Sequence, residues 1–134
     1  MKSAQILRIA IGACQDRKAE DILTYDVQLQ SVLTDYYLIC SAGSVTQIRA
    51  IMNCLEKSFK AVGMLPRSVE GNPESGWIIM DYNAVLIHIF QREIRNYYNL
   101  EELLENRGSM DSTFSQNLPE RFPYESTFQQ VGGT

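Results

Sequence analysis

EGNPESGWIIMDYNAVLIHIFQREIRNYYNLEEL, residues 70–103, decides how this chain folds. Gly71 to Gly76 is dense in Gly, Asn, Pro and Ser and reads as a turn, because these residues supply left-handed or locked backbone angles. Trp77 to Asp81 reads as a strand, and Tyr82 to Ala84 as a tight connection into a second strand, Val85 to Phe90. Along the second strand Val85, Ile87 and Ile89 face one way, and Leu86, His88 and Phe90 the other. Apolar residues on both faces mark a central strand covered on each side. A short helix follows, with Ile94, Tyr97, Tyr98 and Leu103 near its apolar side.

The same patterns extend upstream. Arg67 to Glu70 is a short strand after Pro66. Before it, Ile48, Ile51, Met52, Leu55, Phe59 and Val62 repeat at helical spacing, from a start at Ser44 to a stop at Gly63. Ser44 with Gln47 three residues on is the capping-box pattern, which satisfies the orphan amides of a first turn. Asp21 to Val27 and Asp35 to Ser41 are rich in β-branched and aromatic residues and read as two strands joined by a polar turn. Ser3 to Asp16 carries a broad apolar stripe through Ile6, Ala10 and Cys14, suited to a helix pressed on a sheet or on another subunit. The sum is an α/β chain of the α+β kind, with a mixed sheet of about five strands and helices packed on it. The order of elements excludes a purely parallel, doubly wound sheet.

Length and composition agree with one domain. A chain of 134 residues with 45% apolar side chains can bury a single sizeable core. We place the domain at residues 1–108. After Gly108 the periodicity is lost, and residues 109–134 read as a flexible tail. Phe114, Phe122, Tyr124 and Phe128 make this tail more aromatic than a linker requires, enough to dock on a neighbour.

The formal charge of −4 and a pI near 5.0 work against general attraction to nucleic-acid phosphates, and the twelve Lys and Arg are dispersed. A basic protein partner fits better than sequence-specific contact with nucleic acid. No stretch reaches membrane-spanning length, and the N-terminal run is amphipathic rather than a leader. Cys14, Cys40 and Cys54 are odd in number and fall in segments that read as buried, which points to inert free thiols in a reducing, cytoplasmic setting. No cofactor or metal is expected, since no CxxC or Cys/His pairing is present.

Four segments carry a family resemblance: KAEDILTYDV at residues 18–27, DYYLICSAGS at 35–44, VEGNPESGWIIMDYNAVLIHIF at 69–90 and REIRNYYNLEEL at 92–103. Together, in this order across about residues 3–104, they resemble the Iojap family, the bacterial ribosomal silencing factors and their organellar relatives. The chain departs from the family pattern at Asn83 and Ala84, where Gly-Asp is usual, and at Leu104, where tryptophan is common. The resemblance implies a nucleotidyltransferase-like core without catalytic acids. It further implies a non-catalytic factor, homodimeric when free, that binds the large ribosomal subunit through large-subunit ribosomal protein fourteen. Binding there would block the small subunit and repress translation when nutrients are short.

Candidate site residues follow from placing this implied role on the strands. Trp77, Ile79 and Asp81 alternate onto one face; composition alone fits Trp77 to core as readily as to interface, and the resemblance favours interface, an apolar anchor flanked by an acid. Glu70, Arg95 and Tyr98 are expected beside it, with Arg95 paired to Glu70 or Asp81. On this reading Trp77→Ala weakens partner binding and leaves the fold intact. His88, the one histidine, has no recognisable nucleophile or second metal ligand nearby and is expected to be a hydrogen-bonded structural residue. The alternative function is a minimal nucleotidyltransferase or phosphate-binding enzyme using the Gly43-Ser44 turn. Such an enzyme needs two acids one residue apart soon after that turn, and the following helix offers only Glu56.

Overall fold

The alternation through residues 85–90 is realised as the centre of a mixed sheet. The structure, a computed structural model, describes residues 1–29, 31, 33–100 and 102. Its elements are α1 (Ser3–Asp16), β1 (Glu20–Asp26), β2 (Tyr36–Ala42), α2 (Val45–Lys60), β3 (Ser68–Glu70), a 3-10 turn (Pro73–Ser75), β4 (Trp77–Asp81), β5 (Val85–Gln91) and α3 (Arg92–Tyr98). The five strands lie in the order β1-β2-β5-β4-β3. Only β2 and β5 run parallel, and the other neighbours are antiparallel. The expected α+β fold with a mixed five-stranded sheet is what the chain adopts. The tail at residues 109–134, the boundary at 108 and the side chains of Leu103 and Leu104 lie outside the described residues.

One face of the sheet is closed by the two long helices. Ile6, Ala10 and Cys14 of α1 and Ile48, Ile51, Leu55 and Phe59 of α2 pack on Leu38, Cys40, Ile78, Met80, Val85, Ile87 and Ile89. Fully burying each large aliphatic chain contributes about 1.5–3 kcal/mol, so this layer is the main source of stability. Phe59 stacks on Tyr82 with ring centroids 3.9 Å apart, tying α2 to the turn after β4. Val62, expected on the α2 stripe, falls past the helix end at Lys60 and is exposed.

Two local details differ from expectation in instructive ways. The Ser44 hydroxyl accepts from the Gln47 amide at 3.1 Å, but the Gln47 side chain returns to the Gly43 amide, at 2.8 Å, rather than to Ser44. Its amide nitrogen also donates to the carbonyl of Lys18 at 2.9 Å, so the cap joins the end of α1 to the start of α2. Tyr97, placed on the apolar side of α3, is 80% exposed. Arg95 is the buried position of that helix, and two residues further on the chain faces the opposite side.

The connection at Tyr82 to Ala84 requires a left-handed residue. Asn83 supplies it at φ 72°, where asparagine is among the few side chains tolerated. Gly76 sits at φ 85°, and a Cβ there would meet Ile94 Cγ1 at 2.9 Å, so glycine is demanded by both angle and space.

Candidate functional site

Opposed residues in a sheet ladder present their side chains on the same face. The registers therefore build three rows across the second face of the sheet. Trp77, Phe90 and Ser41 form the row nearest α3. Glu70, Ile79, His88 and Ile39 form the middle row, and Ser68, Asp81, Leu86 and Tyr37 the far one. Val27 and Leu100 join the apolar part of this layer, with Ile94 and Tyr25 packed against it. All six candidate residues are brought together here, four on β3 and β4 and two on α3.

Their environment differs from the one the strand pattern suggests. Trp77 is 0% exposed, and Ile79, Asp81, Glu70 and Arg95 are also buried; Tyr98, at 37% exposed, is the candidate that reaches solvent. Tyr98 lies against Trp77 with ring centroids 4.8 Å apart, and Tyr97 meets Tyr98 edge-on at 5.0 Å. Trp77 also contacts Phe90 at 4.6 Å. Removing this ring leaves a core cavity, so Trp77→Ala costs about 3–5 kcal/mol of stability. The expectation that it leaves the fold untouched is corrected accordingly.

Trp77 Nε1 donates to His88 Nδ1 at 3.1 Å. The accepting Nδ1 carries no proton, which places the imidazole proton on Nε2. Burial lowers the His88 pKa to about 3, because the charged ring would have to leave water without a counter-charge. His88 is thus a neutral, hydrogen-bonded core residue, as expected.

Asp81 and Arg95 do not pair. Asp81 Oδ2 accepts from Arg67 Nε at 3.0 Å and Nη2 at 2.8 Å, while its Oδ1 accepts from the Asn83 amide at 2.7 Å. Reading from the sequence missed Arg67. The signal lay in the hairpin register, which sets Ser68 opposite Asp81 and draws the Arg67 amide to the Asp81 carbonyl at 2.7 Å. Arg95 turns the other way: its Nη1 donates to the Asp21 carbonyl at 2.7 Å and to the Ser41 hydroxyl at 2.8 Å. Asp21 has φ 48° at a register shift between Glu20 and Leu23, and this bulge turns its carbonyl towards the guanidinium.

The groups that would cradle a phosphate at Gly43-Ser44 are engaged within the chain. Besides the Gln47 bonds, the Arg92 guanidinium lies so close to Gly43 that a Cβ there would meet its Nη2 at 2.7 Å. Arg92 is held by Glu20 through a two-pronged contact, Nε to Oε1 at 2.9 Å and Nη2 to Oε2 at 2.7 Å. The same contact lowers the Glu20 pKa, first through the hydrogen bond from Arg92. Among the described residues no group of three His, Cys, Asp or Glu side chains could hold a metal ion. Cys14 and Cys40 are buried with sulfurs 4.0 Å apart, and their mutual hydrogen bond and burial keep the Cys40 thiol protonated, as expected of inert cysteines. No described helix is long and apolar enough to cross a membrane.

Comparison with known proteins gives these features a context. A family model described as "Ribosomal silencing factor during starvation" matches residues 1–131. The ribosomal silencing factor RsfS of Bacillus subtilis is 37% identical over 117 residues, covering 87% of this chain and 99% of that protein. The chloroplastic protein Iojap of Zea mays is 32% identical over 118 residues, which is 83% of this chain and 50% of the maize protein. A crystal structure of a Chromobacterium violaceum protein superposes with a TM-score of 0.74 at 27% identity, covering 77% of this chain and 86% of that one.

Proposed function

The chain belongs to the ribosomal silencing factor family, and from that premise we propose that it represses translation by binding the large ribosomal subunit and sterically blocking the small one. The partner on the large subunit is large-subunit ribosomal protein fourteen, and repression applies when nutrients are limiting. The protein acts in the cytoplasm, is a homodimer when free and performs no chemistry. The family match over residues 1–131 is the observation that carries this reading.

The contact surface is the edge of the sheet face built by Trp77, Ile79, Asp81, Glu70 and Arg95, presented to the partner through the exposed Tyr98 and Arg67, with the buried residues holding it in shape. Its chemistry supports that role. It has an aromatic centre where Tyr98 overlies Trp77, and the half-exposed Arg67 guanidinium, held by Asp81, at one edge. Arg95 and Asp81 act as positioning residues, one fixing α3 to the sheet and the other fixing the turn at Asn83.

Co-sedimentation with separated ribosomal subunits tests the proposal. The protein should pellet with large subunits and not with small ones, and adding it to a mixture of both should reduce the joined ribosomes. Failure to associate with the large subunit would overturn the reading.

A further inference from the structure

Tyr97 is an aromatic residue that the core does not use. It is 80% exposed, yet its ring is braced: it meets Tyr98 edge-on, with planes at 88° and centroids 5.0 Å apart, and Tyr98 lies in turn on the buried Trp77. Single apolar side chains scattered over a surface are ordinary and call for no role. A ring supported through a second ring on the core differs from these. Its rotamer freedom is already restricted, so little is lost when a partner settles on it. An edge-on contact covers at most one face of Tyr97, which leaves at least one π face in water.

The charges around that face decide what it can take. Glu93 stands four residues before Tyr97 on the same side of α3, and helical side chains lean towards the N-terminus, which carries the Tyr97 ring over the turn of Glu93. The exposed Glu93 carboxylate accepts from the Gln91 side-chain amide, a neutral donor. The two arginines of α3 are engaged elsewhere, Arg92 with Glu20 and Arg95 with the Asp21 carbonyl and the Ser41 hydroxyl. A π face attracts cations, and arginine combines a charge with a flat surface that stacks on it. A nucleobase also stacks on tyrosine, but it brings phosphates that Glu93 and the net charge of −4 repel. We propose that Tyr97 and Glu93 form a binding site for an arginine side chain of a basic protein, the guanidinium stacked on the ring and paired with the carboxylate. That this protein is the large-subunit partner rests on the function proposed above; the arginine site does not.

Two measurements separate the site from its use. In the first, NMR follows the ring signals of Tyr97 and Tyr98 while a short peptide of glycine and arginine is added to the full-length protein. The control peptide carries citrulline, which keeps the shape of arginine without its charge. Tyr97 signals should shift with the arginine peptide and several-fold less with the citrulline one, and Glu93→Gln should weaken the response. No shift, or equal shifts with both peptides, would overturn the site. Tyr97 signals that move when the protein alone is diluted would also overturn it, because a second copy would then occupy the ring. In the second, affinity for purified large subunits is compared among the wild type, Tyr97→Leu, Tyr97→Phe and Glu93→Lys, with far-UV circular dichroism confirming each fold. Tyr97→Leu and Glu93→Lys should each weaken binding by about tenfold, the scale of a partly desolvated cation–π contact, while Tyr97→Phe keeps the π face and binds as the wild type does. Undiminished binding by Tyr97→Leu would overturn the use of the site in silencing. An equal loss in Tyr97→Phe would overturn the stacking and place the effect on the hydroxyl. Tighter binding by Glu93→Lys would assign the ring to a nucleobase and overturn the protein partner. Arginine-specific shifts with no subunit binding by any form, wild type included, would leave the site standing and remove the proposed function instead.

Discussion

His88 is held neutral by its surroundings, and this has a measurable consequence. In the unfolded chain its imidazole titrates near 6.5, whereas in the fold burial brings it to about 3. On acidification the unfolded state therefore takes up the proton first. Stability that is fully present above pH 6.5 is lost as the pH falls towards 3, with a slope of about 1.4 kcal/mol per pH unit for one proton. Urea unfolding between about pH 6.5 and 5, where carboxylates are still largely ionised, should show this slope. In His88→Gln the slope should disappear, though the protein is less stable throughout because Trp77 Nε1 loses its aromatic acceptor. A wild type whose stability stays flat across that window would mean that His88 is not shut away from water. The same burial places Trp77 in the core layer of this face, the first of the two places open to a large aromatic on a strand. Alternation along β4 shows which face a residue joins, not what lies on that face.

At the level of elements, α3 is joined to the sheet by a charge rather than by a broad apolar stripe. The bulge at Asp21 on β1 and the Ser41 hydroxyl on β2 both meet Arg95, so one side chain links α3 to two strands. Arg95→Leu removes a charged donor from a buried carbonyl, and should destabilise the protein by about 2–3 kcal/mol in urea unfolding, with faster amide exchange in β1. A change below about 0.5 kcal/mol, within the range of surface substitutions, would show that water replaces the guanidinium without cost. Most of the elements were legible in the sequence. The Ser44 cap, the α2 stripe from Ile48 to Phe59, β4 and the two-faced alternation of β5 each state their element through local spacing. The Arg95 and Asp81 partners were not legible. Both depend on backbone geometry that spacing does not encode, the positive φ of Asp21 and the register that sets Arg67 beside Asp81. Burial of the candidate face is likewise set by which segments fold back over it, a long-range matter that residues 77–81 do not record.

For the whole molecule, the sign of the charge separates two ways of meeting a ribosome. The protein carries −4 overall, whereas a ribosome presents both polyanionic RNA and basic proteins. If contact is with a basic protein, opposite charges steer the encounter. Added salt, by shortening a Debye length of about 10 Å at 0.1 M, should then slow association while leaving dissociation from an aromatic centre nearly unchanged. If contact is with exposed RNA, like charges repel, and the same salt should speed association instead. Stopped-flow binding of fluorescently labelled protein to large subunits, at salt concentrations from about 0.05 to 0.5 M, covers the range over which screening grows strong. The proposed protein contact requires an association rate that falls with salt and a dissociation rate that does not rise with it. An association rate that increases with salt would place the interface on RNA and would be incompatible with a basic protein as the principal contact. The rate senses the net field, whereas affinity is dominated by the contact itself, so the salt dependence of association separates the two modes even where the affinities are alike.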